Sequence, residues 1–292
     1  MTLIELLSPQ TRRHARFLVV ASTLFWSLTG ITLHFIAEAN NWQIVFYRSL
    51  GLLVFMLLIT DRRHVLAKMM ETGSAGLIGG MSLGICFVAL IYSMTHSTVA
   101  NALFLMSVYP VFATVLAALC LGEIITRRTS IAALVAMAGV GLMFLHGWRA
   151  GTLFGSVMGL TCALGYAVFS VCIRWGKLKD MMPSMIYAAV FVLIVAGGIM
   201  SAGNGFAISL HDFILCFMLG FVAIGVGFYL YTASSKLLET SELTLLSLLE
   251  VLFAVLWVWI FADETPNAWT MAGGLLVIGA IVYRSREQMA PV

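Results

Sequence analysis

The chain has 292 residues, 61% of them hydrophobic and only 10% charged, with a mean hydropathy of +1.03. A soluble protein of this length needs far more charged surface, so the composition indicates an integral membrane protein. The net charge of +3 comes from basic residues spread through short loops, which argues against nucleic acid as a partner.

Apolar runs long enough to cross a bilayer mark ten predicted helices, at 17–36, 42–60, 75–95, 99–121, 129–146, 152–173, 183–202, 213–235, 241–261 and 268–283. The last is short for a span. The first run leads through the polar loop EANN into another span and lacks a small-residue cleavage site, so it is not read as a signal peptide. Glycines recur inside the runs, as in GLIGGMSLG, AMAGVG and AGGLLVIGA. In lipid such residues let helix backbones pack closely.

Lysine and arginine set the expected orientation. With the N-terminus inside, the cytoplasmic side holds Arg12, Arg13, Arg16, Arg62, Arg63, Lys68, Arg127, Arg128, Arg174, Lys177, Lys179, Lys236, Arg284 and Arg286. Those fourteen face a single outer Arg149, while Arg48 lies within a span. The asymmetry places both termini in the cytoplasm and supports an even number of spans.

The stretch 101–123 has a counterpart at 241–264. Each begins with small and hydroxyl residues, carries one disruptive residue near its middle, and ends in an acid, Glu123 or Glu264. In the first the disruption is Pro110, expected to break the helix by freeing a carbonyl one turn back; in the second it is Glu250, a carboxylate near mid-membrane. A shift of 140 pairs Ser107 with Ser247, Val111 with Val251 and Gly139 with Gly279, and a shift of 141 pairs Glu123 with Glu264. The expected fold is therefore an all-α membrane protein of two inverted five-helix repeats, 1–147 and 148–292, whose half-sites meet at the midplane.

These features resemble the ten-helix EamA branch of the drug/metabolite transporter superfamily. The resemblance rests on Trp26 in LFWSLTG, on Phe46, Tyr47 and Arg48, and on Pro110, Val111 and Phe112 followed by Leu121, Gly122 and Glu123. In the second half Leu249 and Glu250 match a "Glu-Pro" element, and Ala262, Asp263 and Glu264 a closing acid. Val251 stands where that family often has proline, so the ninth helix is expected to be less kinked than the fourth. Asp263 replaces the usual glycine. The resemblance implies a secondary transporter of the bacterial inner membrane that exports an amino acid, amphipathic metabolite or drug by alternating access. Import on the same fold, a polytopic membrane enzyme and a channel are the alternatives.

Candidate site residues follow from depth and chemistry. Glu250 is expected to face a cavity or a partner and is the one deeply placed group suited to proton coupling; the plainer alternative is a protonated acid bonded to a neighbouring helix. Arg48 must find a carboxylate, carbonyls or water, so it is expected to bind an anionic cargo group, to snorkel outward, or to pair with Glu38. Trp26, Tyr47, Tyr92, Tyr109 and Tyr166 are candidates to stack on cargo, with packing as the alternative. Asn101, Ser107, Thr244 and Ser247 are candidate cargo ligands, with interhelical hydrogen bonding the commoner use. Trp42, Trp148, Trp175 and Trp269 lie near span ends and read as interfacial anchors. Cys86, Cys120, Cys162, Cys172 and Cys216 read as small buried hydrophobes. No metal-ligand grouping, Walker sequence or GxSxG is present, so neither cofactor nor ATP-driven pumping is expected. The partners expected are a small-molecule substrate, the lipid bilayer and protons or another gradient ion, with monomer and homodimer both open.

Overall fold

The computed structural model describes residues 11–60, 65–122, 127–150, 152–176, 182–234, 237–238, 243, 246–247, 249–263 and 265–288. Thr244, Glu123, Glu264, Arg62, Arg63, Lys177, Lys179 and Lys236 lie outside them. Among the described residues every regular element is a helix. Seven helices are long and apolar enough to cross a membrane: α1 (Arg12–Phe35), α2 (Asn41–Ile59), α4 (Gly73–His96), the broken pair α5–α6 (Val99–Leu121), α8 (Leu153–Trp175), α9 (Met182–Ile199 with a π-helical end, Met200–Asn204) and the run Leu210–Ser234. That last run comprises α10 (Leu210–Met218), a π-helical stretch (Leu219–Val226) and α11 (Gly227–Ser234). Shorter apolar cores lie in α7 (Arg127–Ala150), α12 (Leu249–Phe261) and α13 (Ala268–Gln288). Large side chains such as Leu119, Leu134, Ile194, Ile260 and Leu275 are exposed around the bundle, a surface suited to lipid and not to water.

Local chemistry starts and stops these helices where the sequence supplies it. Asn40 and Gln43 form a reciprocal capping box at α2, Thr98 caps α5 through the Asn101 amide, and Ser209 caps α10 through that of Asp212. The fourth span is broken at Ser107 and Val108, and helix resumes as α6 with Pro110 in its first turn, where a missing N–H costs little. Two features were not foreseen from hydropathy. The short helix α3 (Val65–Glu71) precedes α4 and leaves Leu66 and Met70 exposed, as an interfacial segment does. The run Leu210–Ser234 carries a π-helical stretch containing Gly220 and Gly225, which press against α2.

Glycine sets the closest helix crossings. A Cβ on Gly139 would come 2.5 Å from the Gly273 carbonyl oxygen, and one on Gly273 2.6 Å from that of Gly139, so α7 and α13 meet backbone to backbone. Gly51 and Gly220 play the same part between α2 and the α10–π segment, one against the Phe217 carbonyl and the other against that of Arg48. The pairings also repeat. α1 packs on α11 and α12 as α8 packs on α4 and α5–α6, and α2 packs on α10 and the π stretch as α9 packs on α4. The pairs α2–α9, α5–α12 and α7–α13 complete the set.

The departure at Asp263 has a backbone reason. Gly122 ends α6 with φ of 69°, and Asp263, just beyond α12, has φ of 51°. Both take the left-handed conformation that glycine adopts freely and that aspartate tolerates better than most residues. Asp263→Gly is therefore expected to raise thermal stability, by up to about 1 kcal/mol, whereas Gly122→Val should lower it by at least as much. Melting temperatures in detergent check this; equal, negligible shifts in both variants would contradict it.

Candidate functional site

A cavity of about 80 Å³ lies between α1, α2, α4, the α5–α6 break, α8, the π–α11 run and the start of α12. A second space of about 40 Å³ adjoins it across Met106, Tyr109, Ser247 and Glu250. The broken fourth span thus reaches the cavity with its break, and α12 reaches it with Glu250 in its first turn.

Charge enters from two helices, α2 and α12. Arg48 is only 3% exposed, its Cζ lies 5.1 Å from the centre of the Phe87 ring, and its Nη1 has no hydrogen-bond partner. That burial replaces the outward-snorkelling alternative. The Arg48 position is held from behind, because Gly220 lets the π segment rest on the Arg48 carbonyl. Glu250 lines both spaces, and among the described residues no ion pair joins it to Arg48.

Aromatic side chains form most of the remaining wall. Trp26 packs on Phe228 and Tyr231 with ring centres 4.9 and 5.3 Å apart, over the space left by Gly227, and its Nε1 is buried without a partner. Tyr109 and Tyr166 meet edge to face at 4.8 Å. Ser107 and Pro110 line the adjoining space, with the Ser107 hydroxyl donating to the Leu103 carbonyl at 2.8 Å. Ser247 faces both spaces and donates to the Leu243 carbonyl at 2.8 Å. Thr244 lies outside the described residues.

Three candidates are elsewhere. Asn101 donates to Ser156 Oγ at 3.0 Å and to Ser97 Oγ at 3.2 Å, tying α5 to α8. Tyr92 stacks on His96 and meets Trp42 and Phe154 edge on. Tyr47 donates to the Phe206 carbonyl at 2.5 Å and packs on Phe213. The cavity also contains residues the sequence reading passed over: Thr29, Phe87, Phe228 and Tyr231. Tyr231 carried a usable signal, a phenol inside an apolar span; the phenylalanines carried none. Among the described residues no group of three His, Cys, Asp or Glu side chains could hold a metal.

Tyr47 belongs to a clamp at the α1–α2 end of the bundle. The wholly buried carboxylate of Asp212 accepts from the backbone amides of Ala37, Glu38 and Ala39 at 3.1, 2.8 and 2.9 Å, and lies 3.0 Å from His211 Nδ1. Gln43 adds a bond to the Ala207 carbonyl at 2.8 Å. Two connections distant in sequence are thereby held together by charge-assisted and backbone bonds.

The EamA-like transporter family model matches the chain twice, over residues 14–145 and 153–285. The chain belongs to the EamA-like transporter family. It is thus an integral membrane transporter, and its substrate is a small molecule. It is similar to the pseudopaline exporter CntI of Pseudomonas aeruginosa strain UCBPP-PA14, with 26% identity over 273 residues, 92% of this chain and 95% of the relative. The protein of the same name from strain PAO1 is also 26% identical, over 277 residues and the same shares of both chains. A crystal structure of a further protein superposes with a TM-score of 0.63 at 16% identity, covering 94% of the transporter and 97% of that chain, a likeness of fold alone.

The clamp yields a direct test on the transporter. In Asp212→Asn one carboxylate oxygen becomes an amide that cannot accept, leaving an N–H of residues 37–39 without its charged partner. The expected cost is about 1–3 kcal/mol. Hydrogen exchange at residues 37–39 should accelerate and the melting temperature fall. Unaltered exchange there would contradict the clamp.

Proposed function

We propose that this protein is a secondary active exporter of a small organic metabolite carrying both an anionic and a cationic group. Arg48 would hold the anion, Glu250 the cation, and Trp26, Tyr109 and Tyr166 the apolar or planar body between them. The observation that carries the reading is a buried guanidinium with an unpartnered nitrogen and, in the same aromatic-walled cavity, a carboxylate with no ion pair among the described residues. A mid-bundle charge without a partner is costly in lipid and marks a transport pathway. The named relatives are exporters, which favours export.

In this reading ten helices form two inverted halves, 1–147 and 148–292, with both termini cytoplasmic in a bacterial inner membrane. The reciprocal helix pairings and the double family match support the two halves, and the distribution of Lys and Arg supports the orientation. The halves rock about the cavity, opening to one face at a time. The free space of about 80 Å³ is well below the several hundred Å³ of typical small-molecule sites, so cargo enters a more open conformation than this one. Opening to the outside parts the Asp212 clamp, since the 37–41 and 204–211 connections face outward in this orientation. Uphill export draws on an ion gradient, with Glu250 as the proton-coupling group. Asn101, Tyr47 and Tyr92 serve packing and closure, and Thr244 remains a candidate cargo ligand.

Three measurements test it. A panel of zwitterionic, anionic and neutral metabolites is screened for thermal stabilisation in detergent, since whatever binds the native state raises its melting temperature. Zwitterions are expected to lead; stabilisation by neutral compounds alone would overturn the assignment. With that cargo in proteoliposomes, Arg48→Ala should weaken binding at least tenfold, about the worth of one charge-assisted hydrogen bond. Glu250→Gln should weaken cargo binding and, at saturating cargo, keep passive exchange but lose gradient-driven accumulation. Undiminished accumulation in Glu250→Gln would rule out coupling through this residue. For topology, Asn40→Cys and Arg63→Cys in a cysteine-free background should label from opposite sides of the membrane.

A further inference from the structure

Two thiols meet at the wall of the cavity. Cys86 on α4 and Cys162 on α8 place their sulfur atoms 3.1 Å apart, and both side chains are buried, 2% and 0% exposed. Glycine brings them there. A Cβ on Gly165 would lie 2.8 Å from the Ser82 carbonyl oxygen and 3.3 Å from the Cys86 Cβ, so α4 and α8 approach closely at this level. Cys86 lines the same cavity as Arg48 and Phe87, so a small apolar reagent that enters the cavity meets Cys86, whose sulfur is in contact with that of Cys162. Cys120, Cys172 and Cys216 have no such neighbour among the described sulfur contacts.

We infer that Cys86 and Cys162 form a vicinal dithiol site for a bent, thiophilic centre of the trivalent-arsenical class. The sulfur separation selects the class. A linear two-coordinate ion would push the sulfurs apart to twice a metal–sulfur bond, roughly 4.6 Å if that bond resembles zinc–thiolate. A pyramidal arsenic holds its two sulfurs on one side and close together, nearer the 3.1 Å found here. A monosubstituted arsenic oxide condenses with the two thiols: two arsenic–sulfur bonds form, two S–H bonds break, and the oxide leaves as water with no change of oxidation state. Because α4 and α8 belong to different halves of the chain, the adduct staples those halves beside the cargo site. The binding stands apart from the transport reading, whereas the staple rests on it.

The test uses the purified full-length transporter and phenylarsine oxide. Wild type should gain one phenylarsenic by intact mass and lose two titratable thiols, reversibly with a dithiol competitor. The combined Cys120→Ser, Cys172→Ser, Cys216→Ser variant should bind unchanged, and because it keeps the buried pair it controls for folding. Cys86→Ala and Cys162→Ala should each lose at least nine-tenths of the uptake. Full uptake by Cys162→Ala, or none by the triple variant, would overturn the site. In proteoliposomes, cargo exchange by wild type should fall at least tenfold on stoichiometric labelling, and exchange by Cys162→Ala, scaled to its own untreated rate, should resist. Complete labelling with undiminished exchange would overturn the staple while leaving the proposed cargo site intact.

Discussion

Hydrocarbon offers no hydrogen bonds, so irregular backbone in this protein has to be satisfied from within the bundle. The break between α5 and α6 obeys that constraint. The Val108 amide turns back to Leu105 at 3.2 Å and that of Val111 to Val108 at 2.9 Å, while the Thr114 hydroxyl covers the Pro110 carbonyl at 2.8 Å. With those groups answered locally, the break can sit at the cavity, where a continuous helix would present a cylinder of side chains. The π-helical stretch answers the same constraint differently. It keeps its backbone bonds but inserts extra residues, carrying Ile224 and Phe228 to the wall while Gly220 and Gly225 lie against α2.

Close backbone contact then fixes chemistry. Arg48 has a long side chain with much rotamer freedom, yet its Cα is held where Gly220 meets its own carbonyl and Gly51 meets that of Phe217. A side chain at either glycine would drive α2 outward and take the guanidinium with it. One residue earlier, Tyr47 is turned away to Phe206, and Gln43 to Ala207, so this face of α2 serves the clamp while Arg48 serves the cavity. The division follows from helix geometry, because successive residues point about 100° apart.

Hydropathy made the long apolar helices legible, and depth within an apolar run singled out Glu250, which lines the cavity, because each depends on local composition or on a rare residue at depth. The break near Pro110 was legible for the same reason, though it falls at Ser107 and Val108, three residues and two residues earlier. Side-chain direction was not legible. Tyr47 and Arg48 are adjacent and equally good cargo ligands by type, and only the packing of α10 and the π stretch on α2 separates them. Asn101 likewise had two chemically equal uses, and the hydroxyl of Ser156, 55 residues away, decides between them. The Asp212 clamp was hidden because an aspartate near a span end is unremarkable until the 37–39 amides converge on it.

The separation of Arg48 from Glu250 is itself informative. A direct ion pair in a low-dielectric cavity would recover much of the desolvation cost of both groups, and cargo would then have to break it before binding. Here the guanidinium leans on the Phe87 face, a weaker substitute worth about 1–2 kcal/mol, and the carboxylate meets no partner among the described residues. Both charges are left able to gain from a visitor that brings the opposite sign. A carrier also has to release what it binds, and an aromatic wall helps by providing broad contact without many fixed hydrogen bonds. Tyr109 and Tyr166 sit where the broken helix meets α8, so any change in the angle at the break alters their contact and the room between the charges. In the proposed reading, binding and release are thereby linked to the break in the fourth span.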